Sequence, residues 1–203
     1  MSSVIKVLLI EDDEDDYILV KGLLSEVPLT RFAVDWISNY EKALETACRD
    51  DHDIILLDYR LGKYNGLQLM QEIIRRGCRI PVILLTGQGD YEVDVEAMRC
   101  GAADYLVKNQ ISVPLIERSI RHAIERKKAQ DELSWEASLN TAIADLSHAI
   151  LSAGSIDDIS ELVLERTKQL SDSTSGFTGY LDPESGTLLA STAEVDGRKG
   201  PGR

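Results

Sequence analysis

Five polar residues, each placed just after a short apolar run, carry the chemistry available to this sequence. Glu11 and Asp12 follow Val4 to Ile10, Asp58 follows Ile54 to Leu57, Thr86 follows Val82 to Leu85, and Lys108 follows Tyr105 to Val107. Brought together, they would put three carboxylates, a hydroxyl and an ammonium in one pocket. Clustered acids repel, which raises their pKa values unless a cation intervenes, so the set calls for a hard divalent metal. Mg²⁺ fits best, because it takes one or two carboxylates, keeps several waters and bridges to phosphate oxygens. Asp58 would then be the nucleophile toward a phosphoryl donor. The metal and Lys108 would neutralise the transferring group, and Thr86 would donate a hydrogen bond to it.

Positioning these residues requires a parallel sheet. Ile54 to Leu57 is too short an apolar run for a helix and reads as a strand buried on both faces. Around it the chain alternates strand and helix five times. Val4 to Ile10 is the first strand, followed by a helix over Asp13 to Glu26 with Asp13 as its cap. Phe32 to Ile37 is the second, and Asn39 caps a helix to about Cys48. A third helix, Leu67 to Arg76, stops at Gly77. Val82 to Leu85 is the fourth strand, Thr86 to Asp90 a loop, and Tyr91 to Cys100 a helix ended by Gly101. Tyr105 to Val107 is the fifth strand, and Ser112 with Pro114 opens the fifth helix. Five such units with short connections predict an α/β fold with a doubly wound parallel sheet. In that fold the strand ends lie on one edge, where open sheets bind ligands.

Composition narrows the classes. The chain has 203 residues, 43% hydrophobic and 28% charged, as expected of a soluble globular protein. Residues 1–130 carry a net charge of −5 and residues 131–203 a net of −8. Nucleic-acid binding normally needs a basic stripe, so no nucleic-acid partner is expected. Cys48, Cys78 and Cys100 have no metal-like spacing and read as buried cytosolic thiols. The first apolar run stops in six consecutive acids, Glu11 to Asp16, and no later run approaches the length of a membrane span. These features predict a cytoplasmic protein with no membrane partner.

Four motifs in order, IEDD at 10–13, LLDYRLGKYNG at 56–66, ILLTG at 83–87 and GAADYLVK at 101–108, resemble a response-regulator receiver domain of two-component signalling. The resemblance covers residues 1–128 and implies a flavodoxin-like sheet of order 2-1-3-4-5. It implies that Asp58 is the phosphorylation site and that Glu11, Asp12, Asp58 and the backbone carbonyl of Arg60 hold Mg²⁺. It further implies that Thr86 and Lys108 bind the phosphoryl group and that Tyr105 is the aromatic switch residue following Thr86. Arg60 and Gln88 stand where family members tune dephosphorylation. The implied partner is a sensor histidine kinase or phosphotransfer protein. Output would come from the face of the fourth helix, fifth strand and fifth helix, with no dedicated catalytic function.

The sequence departs from that pattern in two places. Leu61-Gly62 replaces a Pro past the phosphorylated Asp, which predicts a looser loop. Asn109 replaces the Pro after the Lys; a cis peptide there would cost about 3 kcal/mol, so trans is expected. Two other readings share Asp58. A phosphohydrolase would use it as nucleophile, but dehalogenase-like phosphatases need an Asp where Arg60 stands. A receiver-shaped scaffold never phosphorylated would not need the full acid, Thr and Lys set. Asp13, Glu14, Asp15 and Asp16 read as solvated first-turn acids. His148 reads as a helix-surface residue, and the basic run Arg118, Arg121, Arg126, Lys127 and Lys128 as a solvated face or partner contact.

No Gly or Pro interrupts Leu115 to Ala153. Leu139, Ile143, Leu146 and Ile150 form a seam on this helix, predicting a helical linker over 129–152 and a homodimer through it or through the output face. Ser155 then caps an amphipathic helix, and Phe177–Leu181 with Leu188–Ser191 makes a hairpin around Asp182 to Gly186. That order resembles the opening of a GAF sensory domain, implying an incomplete α+β segment at 153–192. A disordered tail is expected at 193–203.

Overall fold

The computed structural model describes residues 4–49, 51–87, 91–151, 155–181, 186, 188–195 and 198–200. The chain divides into two compact units, Met1–Lys128 and Ala129–Arg203.

In the first unit, β1 (Val4–Ile10), β2 (Arg31–Ile37), β3 (Ile54–Asp58), a short hairpin of β4 (Arg60–Leu61) and β5 (Tyr64–Asn65), β6 (Val82–Thr86) and β7 (Asp104–Val107) alternate with helices. These helices are α1 (Glu14–Ser25), α2 (Tyr40–Ala47), α3 (Gly66–Arg75), α4 (Tyr91–Arg99) and α5 (Val113–Leu151). The main sheet runs β2-β1-β3-β6-β7, all parallel. Counted without the hairpin, this is order 2-1-3-4-5.

Alternation along the strands divides the core in two, because successive side chains point to opposite faces. Leu8, Ile10, Ile55, Leu57 and Leu84 pack with Ala43 and Leu44 of α2 and Leu69, Met70 and Ile73 of α3. Val7, Leu9, Ile54, Leu56, Ile83 and Leu85 pack with Val20 and Leu24 of α1 and Ile116, Ile120 and Ala123 of α5. Every residue of β3 is buried, as a central strand covered on both faces must be.

The loop after Asp58, which lacks the proline, is closed by strand pairing. Arg60 pairs with Asn65 and Leu61 with Tyr64 in the small ladder, and the Leu61 side chain is buried. Gly62 supplies the left-handed turn at φ +57°. Tyr64 packs against Tyr40 with ring centroids 4.5 Å apart. The thiols also differ from expectation: Cys48 is exposed and Cys78 and Cys100 are half-buried, since each lies at or just beyond a helix C-terminus.

The second unit contains the later part of α5, then α6 (Ile156–Ser171), β8 (Gly176–Leu181), β9 (Leu188–Val195) and β10 (Arg198–Gly200) in an antiparallel sheet of order β10-β9-β8. A capping box between Ser155 and Asp158 starts α6. Leu164 of α6 is buried, and Thr178 Oγ1 of β8 donates to the Ser160 carbonyl at 3.0 Å. Arg166 of α6 pairs with Asp145 of α5 at 2.5 Å. Within the tail expected to be disordered, Ala193 to Val195 prolong β9 and pair with Arg198 to Gly200. Asp196 and Gly197, like Asp182 to Ser185 of the expected turn, lie outside the described residues.

Candidate functional site

Parallel register brings the polar strand ends to one edge. Ile10 pairs with Leu57, so Glu11 and Asp58 emerge side by side. Asp58 in turn pairs with Leu85, and Thr86 with Val107, so Thr86 and Lys108 leave the sheet next to them. Glu11, Asp58 and Thr86 are buried. Asp12 is exposed at the rim, where the loop carrying Gly62 approaches its carboxylate. One carboxylate oxygen from each of Glu11, Asp12 and Asp58 lies within 4.8 Å of the others. This all-oxygen donor set suits a hard cation such as Mg²⁺ and no soft one.

Lys108 closes the pocket. Its Nζ lies 2.6 Å from Glu11 Oε2, 2.8 Å from Asp58 Oδ1 and 2.5 Å from Asp16 Oδ2. It donates hydrogen bonds to Glu11 and Asp16, and Asp58 is its third ion-pair partner. The second oxygen of Asp58 accepts a hydrogen bond from the Arg60 amide at 3.1 Å. The Lys108–Asn109 peptide is trans, and Lys108 aims into the pocket without a proline after it.

Burial sets the electrostatics. It pushes the Glu11 carboxyl up to about 7; the hydrogen bond from Lys108 opposes this and the Asp58 charge adds to it. Burial also raises Asp58, again against the pull of Lys108. For Lys108, burial alone would lower the pKa, but hydrogen bonds to Asp16, Asp58 and Glu11 outweigh it and hold the group charged well above the usual lysine range.

Backbone anchors fix Glu11. Its amide donates to the Ile37 carbonyl at 3.1 Å, and its carbonyl accepts from the Trp36 indole at 2.8 Å. Trp36 stacks on Tyr17 of α1, with centroids 4.3 Å apart. Gly66 passes close to the end of β3, where a Cβ would run into the Asp58 carbonyl oxygen.

The other sequence candidates divide. Tyr105 is half-buried against the core cluster that includes Ala97 of α4. Arg60 is exposed in β4. Gln88 lies outside the described residues. Asp13 caps α1 by accepting from the Asp15 and Asp16 amides at 2.8 and 3.2 Å. Asp16 is a correction to the reading of a solvated acid: it is half-buried and holds Lys108. The available signal is its place in the first turn of α1, where side chains lean back toward the helix N-terminus and so toward the sheet edge. Trp36 carries no signal of its role in the sequence, because nothing in the spacing of an edge strand links it to Glu11. His148 is exposed on α5 as expected. In the basic run, Arg121 pairs with Glu117 and Glu125 of its own helix.

The family model of the response regulator receiver domain matches residues 7–120. Regulatory protein AtoC of Escherichia coli (strain K12) is 36% identical over 102 residues, covering 50% of this chain and 22% of AtoC. Response regulator protein FleR of Pseudomonas aeruginosa is 34% identical over 127 residues, covering 63% of this chain and 26% of FleR. The chain thus spans only about a quarter of these relatives. A response regulator receiver domain protein from Clostridium thermocellum aligns with TM-score 0.55 and 28% identity over 62% of this chain and 98% of that one. The receiver domain of the sensor histidine kinase PA1611 from Pseudomonas aeruginosa PAO1, solved with a coordinated magnesium ion, shares the fold at TM-score 0.53 and 24% identity, covering 61% of this chain and 99% of its own.

Proposed function

This chain belongs to the response regulator receiver domain family, and from that membership we propose that Asp58 accepts a phosphoryl group from a sensor histidine kinase or phosphotransfer protein, with Mg²⁺ as cofactor. The observation that carries the reading is the meeting of Lys108 with Glu11 and Asp58 at the strand ends. Receiver domains are in general phosphoryl acceptors and not enzymes with their own output reaction.

Mg²⁺ held by Glu11, Asp12, Asp58 and the Arg60 carbonyl would supply charge neutralisation on the phosphoryl oxygens. A carboxylate oxygen of Asp58 forms the new O–P bond as the P–N bond of a donor phosphohistidine breaks, its electron pair returning to the imidazole. The Arg60 amide fixes the carboxylate's orientation. Lys108 follows the charge onto the phosphoryl oxygens, and the Thr86 hydroxyl donates to one of them. About −2 charge is thereby added at the sheet edge. Tyr105 follows Thr86, altering the face of α4, β7 and α5. Water returns the system to rest by hydrolysing the acyl phosphate, with Arg60 and Gln88 tuning its access.

The change at that face alters association with a partner or a second copy in the cytoplasm, with the linker helix as the other surface for a homodimer. Incubation with acetyl phosphate and Mg²⁺ should increase the mass by one phosphoryl group. Asp58→Asn and EDTA should each abolish the gain. Rapid multiple turnover of a phosphate ester would overturn the acceptor reading in favour of a hydrolase.

A further inference from the structure

Lys108 is held from three sides in the resting chain: its Nζ donates to Glu11 and Asp16 at 2.6 and 2.5 Å and lies 2.8 Å from the Asp58 carboxylate. A phosphoryl oxygen arriving at Asp58 competes with these partners for Lys108. The three are not equal. The side chains of Glu11 and Asp58 are 0% and 6% exposed, whereas that of Asp16 is 35% exposed. A released carboxylate that can rehydrate costs far less than one left unpaired in the interior.

We propose that Asp16 is the exchangeable anchor of Lys108, drawing the ammonium toward α1 at rest and giving it up to the phosphoryl group, so that Asp16 tunes both metal and phosphoryl affinity as a positioning residue. The inference rests on the phospho-acceptor reading and assigns a role to a residue outside the acid pair, acceptor, Thr and Lys. Asp16 sits in the first turn of α1, ordered by the Asp13 cap. It is followed by Tyr17, which stacks on Trp36, the donor to the Glu11 carbonyl. Release of Lys108 therefore detaches the start of α1 from the end of β7 while leaving Glu11 held through Trp36.

Two effects of opposite sign follow from removing the Asp16 charge. Without this third partner, Lys108 stays longer on Glu11 and Asp58, the carboxylates a divalent cation needs, so Mg²⁺ alone binds more weakly. With Mg²⁺ saturating, no Asp16 contact has to be broken, so a phosphoryl mimic binds more tightly. Each effect should be about two- to fivefold, the range for one partly exposed ion pair.

The test is calorimetric titration of the full chain with Mg²⁺, and then with beryllofluoride at saturating Mg²⁺, for wild type, Asp16→Asn, Asp16→Ser and Asp16→Glu. Asp16→Asn and Asp16→Ser should both weaken Mg²⁺ and tighten beryllofluoride, and Asp16→Glu should return both toward wild type. General loosening of α1 would move both affinities the same way; that result, or no change in either, overturns the proposal. A wild-type chain that binds no beryllofluoride with Mg²⁺ present overturns the phospho-acceptor reading and this inference with it. Wild-type binding with unaltered variants defeats the Asp16 role alone.

Discussion

Glu11 carries the clearest pH consequence. A carboxyl whose folded pKa is raised to about 7 from 4.5 favours the protonated form in the fold. Below the unfolded value it costs nothing; as pH rises from about 4.5 through 7, ionisation in the metal-free pocket takes stability away. Asp58 acts in the same direction. Mg²⁺ needs ionised carboxylates, so binding displaces the Glu11 proton at low pH. Mg²⁺ affinity should therefore climb by about tenfold per pH unit between pH 5 and 7 and level off above. Calorimetry at pH 6 and pH 8 checks this, and Glu11→Gln should flatten the profile. Equal affinities at both pH values in wild type would contradict it. Gly66 carries a steric prediction at the same scale. An added methyl would collide with the Asp58 carbonyl oxygen, so Gly66→Ala should cost on the order of 3 kcal/mol in urea unfolding. A wild-type midpoint would show that the backbone yields there.

At the scale of elements, α1 holds the site through its first turn. Asp13 satisfies two otherwise unpaired amides, those of Asp15 and Asp16. Asp13→Ala should lower stability by about 1 kcal/mol, measured by thermal unfolding. It should also weaken Mg²⁺ binding, because Asp16 loses the amide bond that fixes its turn; an unchanged Mg²⁺ affinity would confine Asp13 to a capping role. The β4–β5 hairpin shows how an element replaces a residue. Where the family pattern has proline, a buried Leu61, a left-handed Gly62 and a two-rung ladder hold the loop after Asp58. Stiffness here comes from pairing and burial in place of a fixed φ.

At the scale of the molecule, the chain separates into Met1–Lys128 and Ala129–Arg203. The first unit contains both core clusters of the parallel sheet and every described residue of the pocket. A fragment of residues 1–128 should therefore fold and retain phosphoryl uptake from acetyl phosphate; loss of uptake with retained far-UV dichroism would show that the second unit supports the site. In the second unit, Trp135, Leu139 and Ile143 of α5 and Phe177 and Leu181 of β8 expose apolar surface. If a second copy covers the α5 seam, Ile143→Glu should shift the sedimentation coefficient of the full chain toward monomer. An identical coefficient for both proteins would remove the linker-helix dimer.

Local patterns in the sequence were enough to determine the five sheet strands, their helices and the Asp13, Asn39 and Ser155 caps, and to nominate the polar residues at the strand ends, because apolar periodicity and strand ends are properties of neighbouring positions. Tertiary structure alone decided what depends on register between distant segments. The pairing of Ile10 with Leu57 and of Thr86 with Val107 sets which polar ends touch. The approach of α1 to β7 turned Asp16 from a surface acid into a partner of Lys108, 92 residues away in the chain. The indole of Trp36 reaches the Glu11 carbonyl only because β2 lies beside β1. A single sequence records what each position prefers, and these contacts exist only once the sheet has placed those positions side by side.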